Sequence, residues 1–573
     1  MKTLFTLFFS FLFLFGYSQE LELDFAKRYG IIQNDLSHNV TSVKYYEDSE
    51  KYLVAGGFNG QIDLGINEVQ ILNGGTEGNG FIAIYNSNFD LLNYFRTDVV
   101  IISAELSNEM VFVCGRFLTL DVDLNDDNNE IFESSNFIGN GYLVAYSQSG
   151  DFIWSQILSS NSSFIPLYCT SSENNVYLVG DFGGSQFGGP LVIENGTESM
   201  EVFSGEFGGS VFLLSYDIQG GYQFHHQFYN EIDLIRSTDY ENYNGTLYLG
   251  LEAREGNINI GISEENILTP EFPNTSLICA YNLENLNLEE YYVFQTENAI
   301  SGSGNLRFSK TRPSEILVSF GLSGILSFYS HITEAIIPYH ENQTTGIASI
   351  CVLNNEDGSL SKTFFQVEES FVFRDCMQLE NDDFIISAEY EGNLFWEGLP
   401  LDNLLFQSSA TSALFYVNNP LNAITLFNFN SSFQSEMNAN ILLNSFSGEL
   451  IIAGRYKGNH DIDFTSNNSS LGDVSDDQAG FLAKYNFDPN TSITEEKRST
   501  ALIYPNPSNS NLFVSSEAGN FDYEFRILDV SGKTVQKGVL QSETIDISSL
   551  KDGVYYLIIK EYRYKFIKST MTE

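Results

Sequence analysis

Tyr52-Leu53-Val54-Ala55-Gly56-Gly57-Phe58 is the stretch that decides how this 573-residue chain folds. It returns as Val111-Phe112-Val113-Cys114-Gly115-Arg116-Phe117, as Val176-Tyr177-Leu178-Val179-Gly180-Asp181-Phe182 and as Leu450-Ile451-Ile452-Ala453-Gly454-Arg455-Tyr456. Weaker copies fill the gap at Leu247–Leu251, Ile316–Phe320 and Phe384–Ala388. With Gly56, Gly115, Gly180, Leu251, Phe320, Ala388 and Gly454 taken as equivalent, the steps are 59, 65, 71, 69, 68 and 66 residues, which makes seven units. Each unit carries a second marker downstream, as in Gly80-Phe81-Ile82-Ala83-Ile84-Tyr85, Gly141-Tyr142-Leu143-Val144-Ala145-Tyr146 and Gly480-Phe481-Leu482-Ala483-Lys484-Tyr485. Apolar runs of this length, bounded by Gly, Asn and Ser, are what strands covered on both faces look like.

The first unit predicts four strands, roughly Val40–Tyr46, Lys51–Phe58, Phe81–Tyr85 and Leu91–Phe95. Four antiparallel strands repeated seven times is the arithmetic of an all-β, seven-bladed β-propeller, here over 19–488. The last unit lacks its outer strand, because after Phe481–Tyr485 the chain passes through Asp488-Pro489-Asn490 into the polar linker 489–500. The spare segment Leu23–Gly30 supplies a candidate. Placed in the last blade it would close the ring and leave no open sheet edge. Units of 59–71 residues exceed the roughly 40–50 of common blades, so loop length is left over for a binding face or for decoration.

Composition excludes several function classes. There are 75 Asp+Glu against 27 Lys+Arg, a formal charge of −48, so the mean field repels a phosphate backbone and nucleic acid is not expected as a partner. Hydrophobic residues at 43% and aromatic residues at 14% suffice for a large core, while 46 glycines point to many turns. The five cysteines are scattered at 114, 169, 279, 351 and 376, without a CxxC pair, so a thiolate zinc site has no support. Cys114, Cys279 and Cys351 sit in apolar strand-like runs, where a thiol acts as a small hydrophobe.

Few residues carry chemistry. The acidic run Asp121–Glu130 offers Asp121, Asp123, Asn125 and Asp127 as oxygen ligands of the kind hard Ca²⁺ accepts. It departs from an EF-hand, with Asp126 where Gly is needed and Phe132 where Glu should be. Asp123 also matches Asp63 and Asp463 of the repeat, which gives it an alternative role at a strand end. His225 and His226 are neighbours on a strand, so they point to opposite faces and do not share a metal. No nucleophile elbow, metalloprotease helix, phosphate loop or complete sialidase-type Asp box occurs. Carboxylate pairs are abundant, but a glycosidase pair is defined by separation in space, so no catalytic residue and no cofactor other than Ca²⁺ is assigned.

The two ends read differently. Met1-Lys2 followed by the apolar Leu4–Phe15 and the small residues of Gly16-Tyr17-Ser18 has the pattern of a signal peptide over 1–18. Gln19 stands where a lipoprotein would have Cys, and no later stretch has the length of a membrane span. At the C-terminus, Tyr504-Pro505-Asn506-Pro507 fixes two φ angles and cannot be helix. Apolar runs at 511–514, 524–530, 544–547 and 554–560 follow, which suits a small β-sandwich.

The C-terminal blocks are Leu502–Pro507, Phe525–Lys533 with Gly532, Ile545–Leu550, and Gly553-Val554-Tyr555 running on to Ile559. In this order they resemble the type A C-terminal sorting domain of the type IX secretion system of Bacteroidetes, covering 501–573. The resemblance implies that Tyr504, Pro505, Asn506, Pro507, Gly532, Leu550, Gly553 and Tyr555 form the sorting motif. It also implies handling by the type IX machinery and a mature protein that is secreted or held on the outer cell surface. The cycle Phe25–Gly30, Tyr52–Gly65 and Gly80–Tyr85 resembles the bacterial SBBP propeller repeats, a family that supports the fold and carries little about activity. Two function classes stay open: a non-catalytic binding protein for a glycan or protein ligand, and an extracellular polysaccharide hydrolase or lyase.

Overall fold

The computed structural model describes the chain between Glu22 and Lys568, except for 30–37, 401–410, 459–473, 487–501 and a number of shorter connections, among them 124–130, 505–509 and 530–533. Apart from a 3-10 turn at Glu47–Ser49, the regular elements of the described residues are strands. The chain divides into two compact units, Met1–Pro489 and Asn490–Glu573.

The larger unit repeats an antiparallel meander. In the first copy, Asn39–Tyr46, Lys51–Phe58, Asn79–Asn86 and Leu91–Thr97 pair in sequence order. The first strands of successive copies are Asn39–Tyr46, Val100–Ser107, Phe164–Ser171, Ile235–Tyr243, Leu306–Phe308, Ser370–Gln378 and Met437–Asn444. Each touches the next, and Met437–Asn444 touches Asn39–Tyr46 again. The inner strands therefore run in a cycle, which is the arrangement of a β-propeller.

Burial explains why the repeated runs are apolar throughout. Strand side chains alternate between faces, and in the first copy one face belongs to each neighbour. Leu53, Ile82 and Ile84 pack with Val111, Val113 and Val144 of the second copy. Tyr52, Val54, Phe81 and Ala83 pack with Ile451, Ala453 and Leu482 of the last. Every large side chain so buried is worth about 1.5–3 kcal/mol, so the seams between copies are the core.

The repeat glycine has a geometric cause. A Cβ on Gly56 would lie 2.0 Å from the Asn39 carbonyl oxygen and 2.8 Å from the Phe81 ring. Gly56 pairs with Val40, and the register shifts between Val40 and Ser42. Gly115 and Gly180 face the same shift at Ile101/Ser103 and Pro166/Tyr168. In these three copies the glycine lies opposite a β-bulge in the inner strand, and at Gly56 the two backbones approach too closely for a side chain.

The N-terminal strand Glu22–Tyr29 pairs antiparallel with Val474–Asn486, from Glu22 opposite Asn486 to Tyr29 opposite Gly480. The expected outer strand of the last copy is therefore supplied by the start of the chain. Lys484 holds the junction: its Nζ lies 2.5 Å from Glu449 Oε1 and 3.1 Å from Asp24 Oδ2. Tyr52 of the first copy donates to Glu449 Oε2 at 3.1 Å, and Lys484 Nζ sits 5.6 Å from the centre of the Phe89 ring.

The surplus length of the units goes largely into hairpins between second and third strands. In the third copy, Leu191–Asn195 and Glu198–Val202 form such a hairpin, and it pairs with Phe152–Ser160, the outer strand of the copy before. The hairpin Ile258–Asn259 and Ile267–Leu268 extends Tyr222–Asn230 in the same way. The far ends of Glu315–Ser330 and Ala335–Asn354 extend Leu288–Thr296, and Leu394–Trp396 extends Leu360–Val367. The outer strands of copies 2 to 5 are thus covered by the following copy, whereas Leu91–Thr97, Asn422–Phe429 and Glu22–Tyr29 end their sheets among the described residues.

The smaller unit holds two sheets, one of Leu502–Tyr504, Asn511–Ser515 and Thr544–Asp546, the other of Thr534–Leu540, Tyr523–Asp529, Gly553–Ile559 and Tyr562–Lys568. The apolar runs anticipated from the sequence fall on these strands. Leu512, Phe525, Ile527, Ile545, Ile547 and Leu557 are buried, and Gln536 Nε2 donates across to the Asp546 carbonyl at 2.9 Å.

Candidate functional site

Two constellations of polar side chains stand out in the ring. The first joins the inner strands of four copies. Lys44 Nζ donates to Glu105 Oε2 at 2.6 Å and to Tyr240 Oη at 2.9 Å, and it lies 5.5 Å from the centre of the Tyr240 ring. Tyr240 in turn donates to the Cys169 carbonyl at 3.1 Å and packs on Tyr168 with ring centres 4.4 Å apart. Asn242 Nδ2 donates to Thr170 Oγ1 and to the Ser171 carbonyl. A cation between one carboxylate and one phenol is satisfied by the protein itself.

Burial opposes the charge on Lys44, but Glu105 and then Tyr240 outweigh it and hold the ammonium well above its ordinary range. Burial pushes the Tyr240 phenol up to about 12 although Lys44 pulls it down, so it stays neutral. The group ties copies 1, 2, 3 and 4 together. The sequence offered one signal for it: Lys44 and Glu105 are single charges inside apolar strands, 61 residues apart, at matching positions in two repeats.

The second constellation lies at the end of the ring where the inner strands begin. Arg116 pairs with Val100, Asp181 with Ile165, Arg236 with Glu252 and Arg455 with Asn438. Each partner is the first or second residue of its inner strand, apart from Glu252, whose own partner Arg236 holds that place. Arg116, Arg236, Arg254 and Arg455 are exposed. Asp181 Oδ1 accepts the Ser237 N–H at 2.8 Å across the seam between copies 3 and 4. Burial pushes its carboxyl up to about 6, against the pull of that hydrogen bond and of Arg236. Burial raises Glu252 as well, against Arg236 and Arg254. The rim thus presents guanidinium groups beside carboxyls that hold their protons unusually tightly. That combination suits anionic or hydrogen-bonding ligands.

The acidic run lies partly within the described residues. Asp121–Asp123 is a strand paired with Ile131–Glu133, while Asn125 and Asp127 fall outside them. No group of three metal-ligating side chains occurs among the described residues. The residue equivalent to Asp123 is well defined: Asp63 Oδ1 accepts the N–H groups of Gly65 and Gln70, and Oδ2 receives Lys27 Nζ at 2.5 Å. Asn259 repeats the arrangement with Gly261 and Asn266. In the same two copies Tyr85 and Tyr281 donate to the Leu64 and Ile260 carbonyls at 2.7 Å. This position therefore folds the hairpin turn and, through Lys27, fastens the N-terminal strand.

His225 and His226 pair with Leu214 and Leu213. Tyr222 bonds the first, and burial lowers the second to about 4 while it packs edge-on against Phe228. They do not act together. Cys114, Cys169, Cys279 and Cys376 are buried. Of the sorting-motif residues, Tyr504 ends a strand, Gly553 begins one, Leu550 sits in the turn that follows Thr544–Asp546, and Tyr555 is buried and donates to the Lys551 carbonyl at 2.9 Å. Pro505, Asn506, Pro507 and Gly532 lie outside the described residues.

Residues 502–573 match the family described as the secretion system C-terminal sorting domain. No curated protein is significantly similar to the chain. Among solved structures, BamB from Moraxella catarrhalis is 8% identical, with 82% of this chain and 100% of that one covered at a TM-score of 0.36. The Cps50 (Swd1) β-propeller domain of Myceliophteria thermophila is also 8% identical, covering 81% and 100% at 0.34. PorZ of Porphyromonas gingivalis, described as a surface component of the type IX secretion system, is 10% identical, covering 92% and 93% at 0.15. None is close enough to transfer a ligand or an activity. No helix among the described residues is long and apolar enough to cross a membrane. The chain carries a secretion system C-terminal sorting domain and is exported by the type IX route, to be secreted or attached at the cell surface.

Proposed function

We propose that the mature protein is a non-catalytic binding protein, a seven-bladed propeller that displays its arginine-bearing rim to a glycan or protein ligand outside the cell. The observation that carries this reading is the exposure of Arg116, Arg236, Arg254 and Arg455 at the strand ends in a chain of formal charge −48. Cationic side chains so outnumbered gain from a place where ligand can reach them. The inner Lys44 cluster supports a scaffold reading, since its polar groups satisfy one another.

The domain plan follows: signal peptide 1–18, propeller 19–488, linker 489–500 and sorting domain 501–573, whose motif residues Tyr504–Pro507, Gly532, Leu550, Gly553 and Tyr555 meet the secretion machinery. Ca²⁺ at Asp121, Asp123, Asn125 and Asp127 belongs to the same proposal as a stabiliser of one hairpin. The rival, a polysaccharide hydrolase or lyase, draws on Asp181, whose carboxyl at about 6 is poised for proton transfer near neutral pH.

A glycan and polymer array probed with the full exported chain tests the proposal, scored for both retention and cleavage. Retention without products is expected. Replacing Arg116, Arg236 and Arg254 together by Ala should weaken it more than about tenfold, as the loss of charge-assisted hydrogen bonds requires, with an unchanged melting curve. Soluble cleavage products that vanish in Asp181→Asn would overturn it in favour of the enzyme.

A further inference from the structure

The geometry points to an oxidative cross-link between Cys114 and Cys169, a covalent staple across the seam of copies 2 and 3. Cys114 lies on the second strand of copy 2, Met110–Phe117, and Cys169 on the inner strand of copy 3, Phe164–Ser171. Both are fully buried in one core cluster with Phe112, Leu143, Val176 and Leu178. Ser103 is the cross-strand partner of Cys114, and Cys169 is moored to that same residue. Its N–H approaches Ser103 Oγ at 3.5 Å and its Sγ approaches the Ser103 carbonyl at 3.5 Å. Cys169 Sγ also lies 3.7 Å from the Phe112 carbonyl. Phe112 stands two residues before Cys114, so their side chains leave the strand on one face, and it is this face that Cys169 covers. The Cys114 thiol responds to its neighbour: burial first, then Cys169, push it well above its ordinary range.

The route of the chain supplies the conditions. An exported protein passes through compartments in which disulfides form and persist. The oxidant is a protein or small-molecule disulfide. Its exchange with the two thiols forms the Cys114–Cys169 bond, breaks the oxidant's own S–S bond and returns both protons and both electrons to it as two thiols. Because both thiols are buried in the folded protein and Cys114 is held protonated, exchange takes place before the seam closes, when a thiolate can attack. Once the seam has closed, the same burial protects the bond from reductants. The two positions are 55 residues apart in the sequence, so the staple fixes one whole copy against the next. Cys279 lies in a different cluster, and Cys376 belongs to the inner strand of copy 6.

The test collects full-length protein from the medium or cell surface and alkylates it under denaturing conditions without reductant, before peptide mapping by mass spectrometry. The expected result is that Cys279, Cys351 and Cys376 are alkylated, while the peptides bearing Cys114 and Cys169 travel as one species two hydrogens lighter than their sum. In Cys114→Ser the Cys169 thiol becomes alkylatable, and a Cys279→Ala control keeps the linked species. Reductant added during unfolding should lower the melting temperature of the wild type and leave Cys114→Ser unmoved. Five alkylated cysteines in the exported wild type, or a link that maps to another pair, would overturn the assignment without need of any variant.

Discussion

Lys484 is the side chain whose removal most directly probes how the ring is fastened. It is 7% exposed and bridges Glu449, itself 13% exposed at the side chain, to Asp24 on the N-terminal strand. Lys484→Ala takes the cation away from the Glu449 carboxylate, which keeps the hydrogen bond from Tyr52. Breaking a buried ion pair by removing one member costs about 3–5 kcal/mol. Asp24 is 46% exposed and is rehydrated on loss of its partner, which argues for the lower end, about 3 kcal/mol. With an unfolding entropy of about 2.1 cal/mol/K per residue, a ring of this size has roughly 1 kcal/mol per degree, so the melting temperature should fall by about 3 °C.

The double variant Lys484→Met, Glu449→Gln removes both charges and keeps the volume, and it should recover most of the loss, since apolar replacement of a whole pair is often nearly neutral. The wild-type contribution should also have a defined pH range. Burial opposes the Lys484 charge, Glu449 and Asp24 favour it, and the net effect raises its pKa above the unfolded value. Its stabilisation is therefore complete at neutral pH and is lost only as pH climbs through the raised value. Differential scanning fluorimetry at pH 7 and in an alkaline series gives the data. A single variant that melts within a degree of wild type, or a double variant as damaged as the single, refutes the reasoning.

Asp181 should also lower stability as pH rises, over a more acidic range. Its folded pKa, about 6, lies above the ordinary carboxylate value of 3.8, so the native state binds the proton more tightly, and stability should fall as pH rises from about 4 to about 6, by at most about 3 kcal/mol. Asp181→Asn should flatten that slope in urea titrations, and a persistent slope would assign it to other groups. Gly56→Val should cost more than about 3 kcal/mol or abolish folding, because its Cβ alone would sit 2.0 Å from the Asn39 carbonyl oxygen; normal expression and melting would contradict the bulge. Added Ca²⁺ should raise the melting temperature by mass action, an effect that Asp121→Ala with Asp123→Ala should remove, and identical curves in Ca²⁺ and EDTA would dismiss the site.

The repeat was legible because each long strand is buried on both faces, which writes an apolar run such as Leu450–Ala453 directly into the sequence. The closing strand was legible from bookkeeping of a missing outer strand, and Glu22–Tyr29 fills that place. The extending hairpins were not. Pieces such as Ile258–Asn259 and Leu394–Trp396 are two or three residues long, too short for periodicity, and they are held by pairing with an earlier copy. The Lys44–Glu105–Tyr240 group and the Cys114–Cys169 pair were hidden for a related reason. Their partners lie one or more repeats away, and only the cyclic order of the inner strands brings them together. The rim arginines follow the repeat glycine in copies 2 and 7, so their common level could have been read from the alignment of the units.

The most direct test of the whole account separates delivery from cargo. Ending the chain before residue 502 removes the segment matched by the sorting family and leaves the compact unit Met1–Pro489 whole. In a type IX-competent cell the truncated protein should accumulate in the periplasm with the full-length ring's melting behaviour, while 502–573 fused behind a signal peptide and a foreign passenger should carry that passenger outside. Truncated protein found in the medium or on the surface at wild-type levels would contradict the account.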